Sequence, residues 1–134
     1  MAELDLPIER NVLSQRCVSR QALQIVSQKW LALVVFALVG GPKRHGDLRR
    51  MIEGVSQKML TQTLRTMEER GLIARDVLDP EPPQHVEYRL TALGESLSDP
   101  LVDLCHWAME HATDLGLDPG AVSASAVPPP PAPR

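Results

Sequence analysis

Between residues 45 and 70 two runs of helical periodicity stand three residues apart, and so short a link leaves two helices few ways to pack. The first run, residues 45–52, spaces Leu48, Met51 and Ile52 at i, i+3 and i+4, which predicts a short amphipathic helix. Glu53-Gly54-Val55 reads as a tight turn. Ser56 then offers a hydroxyl to an orphan amide at the start of the second helix. That helix is expected to run to Arg70 and stop at Gly71, with Leu72 placed for the apolar contact of a glycine cap. Its inward stripe is Leu60, Thr63, Leu64 and Met67, and Gln57, Lys58, Thr61, Gln62 and Arg65 form one continuous polar face. Two helices joined by a short glycine-containing turn are the signature of a helix-turn-helix.

The flanking segments extend this unit. Residues 18–38 carry Ala22, Leu23, Ile25, Val26, Trp30, Leu33, Val34, Ala37 and Leu38 at helical spacing, interrupted by Ser27-Gln28-Lys29, so one broken helix or two short ones are expected. Gly40-Gly41-Pro42 ends that stretch. Downstream, residues 72–78 and 85–90 read as two strands separated by Asp79-Pro80-Glu81-Pro82-Pro83, a β-hairpin with a proline-stiffened loop. Val86, Tyr88 and Leu90 alternate with Glu87 and Arg89, as a half-buried strand requires. Thr91 can cap a last helix reaching about residue 111, with Leu93, Leu97, Leu101, Leu104, Cys105, Ala108 and Ala112 along one stripe and Pro100 as a source of kinking. The predicted fold is mainly α with a small β-hairpin wing: a winged helix-turn-helix domain over residues 17–114. Residues 1–16 form an N-terminal extension, and residues 115–134, rich in Pro, Ala and Ser, a tail expected to be disordered.

Charge distribution says more than the total. The net charge is −3, yet residues 43–75 hold eight Lys or Arg against four Asp or Glu, a local +4 that leaves −7 for the remainder. A basic middle within an acidic chain suits a protein that turns one face to phosphates. No apolar run approaches the roughly 18–20 residues that span a bilayer, and the start of the chain lacks a signal peptide's basic and apolar regions, so no membrane role and a cytoplasmic location are expected.

The polar face of the second helix has the chemistry of groove reading. Gln can pair with both edge groups of adenine, Arg can fork onto guanine, and Lys or Thr can hold a phosphate or a base edge. In helix-turn-helix proteins the second helix enters the major groove and its N-terminal residues meet base edges. Arg49 and Arg50 lie on the first helix, which crosses the backbone. Against this stands the reading that the polar face is merely solvated, as on any surface helix. The turn before it and the hairpin after it favour the groove reading. The candidate DNA-binding set is Arg44, Arg49, Arg50, Ser56, Gln57, Lys58, Thr61, Gln62, Arg65 and His85.

At these residues the chain resembles the HxlR-type winged-helix regulators, relatives of the MarR group. The resemblance covers roughly residues 17–110. It rests on Cys17, Lys29-Trp30, Gly41-Pro42-Lys43-Arg44, Asp47-Leu48-Arg49-Arg50, the run from Gly54 to Thr61, Leu64, Glu69, Gly71-Leu72-Ile73, Pro83, Val86-Glu87-Tyr88, Leu90-Thr91 and Gly94. It implies a transcriptional repressor: a homodimer joined through N- and C-terminal helices and bound to a palindromic operator in double-stranded DNA. Leu97, Leu101, Leu104, Trp107 and Ala108 are the expected contacts between protomers. Four positions depart from the family's habit: Val18 replaces proline, Gln28 glycine, His45 an aromatic, and Gln84-His85 an arginine before Val-Glu-Tyr. With Asp76, Asp79 and Glu81 close by, the wing is acidic and phosphate would repel it.

Cys17, flanked by Arg16 and Arg20 at a helix start, has the setting of a reactive thiolate, and several relatives in the resembled family sense oxidants through a cysteine there. The alternative for Cys17 is a buried small hydrophobe; Cys105, on an apolar stripe, reads as packing. Trp30 and Trp107 read as core or interface residues. His106 and His111 stand five apart rather than three or four, so no metal site is expected, and no cofactor either. No phosphate loop, nucleophile triad or carboxylate pair is recognisable, which excludes the common enzyme classes. A small-molecule effector lodged between the helices at 18–38 and 91–111 is compatible with this reading. The rival from another class is a winged-helix module for protein–protein association, its DNA binding weakened by the acidic wing.

Overall fold

The computed structural model describes residues 13–117. The expectations for residues 1–12 and 118–134, most of the extension and of the proline-rich tail, lie outside the described residues. The elements run α1 (Val18–Val26), α2 (Lys29–Leu38), α3 (His45–Met51), α4 (Gln57–Glu69), β1 (Ile73–Asp79), β2 (His85–Leu90) and α5 (Ala92–Glu110). The stretch expected as one broken helix or two short ones is two, bent by 75° at Ser27-Gln28.

Helix α2, KWLALVVFAL, is apolar almost all round; one side is enclosed, while Ala32, Leu33, Phe36 and Ala37 are half-buried. Leu31, Val34 and Val35 are fully buried and Leu38 nearly so. Helices α3 and α4 close on it with Leu48, Ile52, Leu60, Leu64 and Met67, and Leu72, Ile73, Leu90 and Leu101 complete the core. Each such side chain contributes about 1.5–3 kcal/mol by leaving water. Met51, expected inward, is instead 52% exposed. Met51 ends α3 on the flank of a buried line that runs through Leu48 and Ile52, so it faces water.

The wing is an antiparallel pair with Ile73 opposite Leu90, Arg75 opposite Tyr88 and Val77 opposite Val86, and it becomes irregular before Asp79. Arg89 bonds Asp76 across it at 2.8 Å. The expected alternation in β2 is blurred, since Val86, Glu87 and Tyr88 are all half-buried. Lys43 adds a rung on the other side of β2, with its amide donating to Tyr88 at 2.9 Å and its carbonyl accepting from Tyr88 at 2.8 Å. The loop before α3 is thereby stitched to the wing.

Helix α4 ends in a closed cap: the Gly71 amide reaches Glu68 at 3.0 Å and the Leu72 amide reaches Met67 at 2.9 Å. The chain returns here after the hairpin. Thr91 donates its amide to the Leu72 carbonyl at 3.1 Å and its hydroxyl to the Gly71 carbonyl at 2.5 Å, while its oxygen accepts the Gly94 amide at 3.1 Å. The end of α4 and the start of α5 thus share one polar junction.

Helix α5 runs unbroken through Pro100 and buries Gly94, Ser98, Leu101 and Val102. The single stripe read from the sequence is corrected to two faces. Leu101 lies within the chain's own core, so this member of the expected dimer-contact set is spent inside the protomer. Leu93, Leu104 and Trp107 face outward, the last two 60% and 50% exposed. Leu97, Cys105 and Ala108 sit half-buried between the faces. A helix with apolar residues over so much of its circumference satisfies its own core with one side and leaves the other uncovered. Beyond it, Gly116 and Leu117 close a further turn, the Leu117 amide bonding Ala112 at 2.8 Å.

At Gly94 a Cβ would lie 2.0 Å from the Leu72 carbonyl oxygen, a backbone atom held by Thr91. Gly94→Ala should therefore cost about 3 kcal/mol, the upper end of ordinary overpacking. In urea unfolding the midpoint should fall with the slope unchanged. An unchanged midpoint would show that the junction gives freely.

Candidate nucleic-acid interface

The candidate interface begins with the turn between α3 and α4. Gly54 takes φ +88°, and a Cβ there would meet the edge of the Trp30 ring at 3.8 Å, so the turn lies close over the start of α2. Val55 is buried beside it, and Ser56 starts α4 as expected, its hydroxyl oxygen accepting the Met59 amide at 3.1 Å. Ser56 thus spends an acceptor on the cap and keeps its hydroxyl hydrogen. Leu60, Thr63, Leu64 and Met67 are buried, as the spacing predicts. Thr63 bonds the Met59 carbonyl at 2.8 Å, so its hydroxyl is satisfied in the interior.

On the opposite face Gln57, Lys58, Gln62 and Arg65 are exposed, and none bonds or ion-pairs through its side chain with a described residue. Thr61 stands between Gln57 and Arg65 on the same ridge but is half-buried, its hydroxyl 3.2 Å from Nε2 of His45 on α3. His45 lay outside the sequence-derived set. Its partner is sixteen residues away and no local pattern links them.

The basic residues of α3 divide. Arg49 is exposed, and Arg50 is ion-paired with Asp47, which also accepts the Arg44 amide at 3.2 Å. An exposed pair of this kind is worth little, so a phosphate can replace Asp47 at small cost. Arg44 reaches the Gln84 carbonyl at 3.5 Å and so spans from α3 to the wing loop. His85 is turned to Glu87 at 3.1 Å, and the carboxylate opposes whatever charge the imidazole offers a phosphate. Asp79 and Glu81 are exposed at the wing tip.

A family model for the HxlR-like helix-turn-helix matches residues 25–115, spanning α2 to α5. The chain belongs to that family. It is 43% identical over 99 residues to the uncharacterized HTH-type transcriptional regulator YtfH of Escherichia coli, covering 74% of this chain and 78% of the relative. The structure of a YtfH from Salmonella typhimurium superposes with a TM-score of 0.69 at 40% identity, over 80% of this chain and 95% of that one. The reduced form of the transcriptional regulator YodB from Bacillus subtilis gives 0.62 at 33% identity, over 70% and 92%. This HxlR-like chain is accordingly a transcriptional regulator of the helix-turn-helix type with the winged fold, in a family of regulators rather than enzymes.

Other features of this HxlR-like chain fit around that role. No single helix among the described residues is long and apolar enough to cross a membrane, and no group of three or more His, Cys, Asp or Glu there is arranged to hold a metal. Cys17 and Cys105 are thiols, not a disulfide, and both are half-buried. Cys17 occupies the N-cap of α1, while Arg20 directs its guanidinium to the Leu13 carbonyl at 2.6 Å. Trp107 stacks on His111 with ring centres 5.0 Å apart.

Burial pushes the Cys105 thiol above its ordinary range because the thiolate loses hydration. In the folded protein the onset of Cys105 alkylation should therefore lie at higher pH than in the urea-unfolded chain. A Cys17→Ser variant, with Cys105 as its sole cysteine, allows the two pH profiles to be compared. Coincident profiles would refute the burial.

Proposed function

We propose that this HxlR-like protein is a cytoplasmic homodimeric repressor that binds a palindromic operator in double-stranded DNA, reading it with α4 and closing its dimer through the outward side of α5. The exposed face of α4 carries the proposal. Gln57, Lys58, Gln62 and Arg65 make no competing bond to a described side chain or backbone group, and Arg49 and Arg50 stand on the helix before them. A polar face with no internal partners, next to exposed cations, fits a groove lined with acceptors and flanked by phosphates. The two copies of α4 would enter successive major grooves, about 34–36 Å apart. A dimer seated over a promoter excludes polymerase from the same groove.

Two triggers are compatible with this reading. Cys17 sits at the start of α1, and the similar YodB has been described in a reduced form, which supports a thiol-based response here. An open cleft of about 400 Å³ where α2, β2 and α5 meet, lined by Leu38, Val39, Pro42, Arg89, Leu90 and Glu95, offers a small effector a seat. The acidic wing tip at Asp79 and Glu81 favours the association-module reading instead, because it weakens the wing's grip on phosphate.

Gel-shift titration against DNA upstream of the protein's own gene, with unrelated DNA as control, tests the proposal. Arg65→Ala and Gln62→Ala should each weaken specific binding by about 1–3 kcal/mol per lost base contact. The logarithm of the binding constant should fall linearly with that of salt, by about 0.9 for each phosphate contacted. Wild-type binding by both variants would remove α4 from the operator, and salt-independent association would favour the module for protein partners.

The dimer makes its own demand. Leu104→Glu should shift the sedimentation coefficient from dimer to monomer without lowering helix content, because Leu104 contributes nothing to the protomer's core. An unaltered dimer would locate the interface elsewhere.

A further inference from the structure

Three threonines lie on α4, and two of them are bonded differently. Thr63 spends its hydroxyl hydrogen on the Met59 carbonyl within its own helix. Thr61 reaches across to α3, where Nε2 of His45 lies 3.2 Å from its oxygen. Thr61 is also the middle member of the ridge Gln57–Thr61–Arg65, half-buried but still open to the outer face. Its hydroxyl therefore has two neighbours to satisfy, an imidazole behind it and whatever the helix reads in front.

We propose that His45 is a specificity-determining positioning residue: through its bond to Thr61 it fixes whether the centre of α4 offers DNA a donor or an acceptor. The proposal rests on α4 being the reading helix. A hydroxyl has one hydrogen and two lone pairs. When Nε2 carries its hydrogen it donates to Thr61 Oγ1, and the Thr61 hydrogen is free to point outward to guanine O6 or N7, adenine N7 or thymine O4. When Nε2 is bare, Thr61 donates to it and shows DNA only a lone pair and a methyl group. That surface suits the amino groups of adenine or cytosine and the thymine methyl. His45 touches no base in this scheme; it sets the polarity of the residue that does.

A purely structural role, in which the bond only holds α3 to α4, predicts a different pattern. Losing it would lower the melting temperature and weaken binding to every sequence alike. Base preference at one position separates the two.

The test uses the full chain and a duplex library randomised across two successive major grooves, selected in parallel with each variant. His45→Phe keeps a ring of similar size without nitrogens, and Thr61→Val keeps the shape without the hydroxyl. Both should lose discrimination by roughly 10-fold at the same symmetry-related pair of positions, with preferences elsewhere retained. The double variant should lose no more than either single one. His45→Gln, whose amide can both donate and accept, should restore part of the preference, and Thr61→Ser should retain it. Melting curves of each variant keep folding separate from reading.

Loss at different positions, additive losses, or a uniform weakening that follows the melting temperature would overturn the role of His45 and leave α4 as the reading helix. If the wild-type protein selects no sequence at all, the reading of α4 fails, and this inference fails with it.

Discussion

Everything else in the fold is arranged around a helix that has almost no polar side chain to give to water. Helix α2 buries Leu31, Val34 and Val35 completely, and α3, α4, β2 and α5 each meet it. A ten-residue apolar helix is not stable alone in water and holds its shape through what packs on it. The demand is mutual. The glycine turn lies close over Trp30, α4 presses its inward stripe against α2, and Leu101 of α5 reaches the same core. The angle between α3 and α4 is therefore set largely from beneath by one shared floor, leaving Gln57, Lys58, Gln62 and Arg65 without a structural task.

That division explains how an acidic chain can serve a role at DNA. Side chains that hold the domain together are aliphatic and inward, while the cations of α3 and α4 are outward and held weakly or not at all. Arg50 waits on Asp47, a partner in water that a phosphate can displace. The wing is built on another principle, since its exposed tip carries carboxylates and His85 is turned to Glu87. Its firm connections are backbone ones, to Lys43 on one side and β1 on the other. It frames the helix pair more than it contributes charge.

Much of this was legible in the sequence where the signal is local. The caps at Ser56 and Thr91 and the stop at Gly71 each depend on residues a few positions apart, and each lies where spacing put it. The buried stripe of α4 was readable because one helix face meets one core. Features made by distant segments were not. The Lys43–Tyr88 rung and the His45–Thr61 bond join stretches with no shared periodicity. Helix α5 misled for a related reason: hydrophobicity alone does not distinguish a side facing the protomer's own core from one left open, so Leu101 and Leu104 looked alike. Met51 escaped because helical spacing alone does not say on which flank of the buried Leu48–Ile52 line the core stops.

The junction between Gly71, Leu72, Thr91 and Gly94 has a mechanical consequence. Two hydrogen bonds from Thr91, to the Gly71 and Leu72 carbonyls, and a contact at Gly94 too close to admit a methyl group tie the segment that closes α4 to the start of α5. The cap that ends α4 and the cap that starts α5 therefore share Thr91, and neither can be rebuilt without disturbing the other. A change in how α5 leaves Thr91 thus bears first on the turn that closes α4, a few residues from the start of the wing.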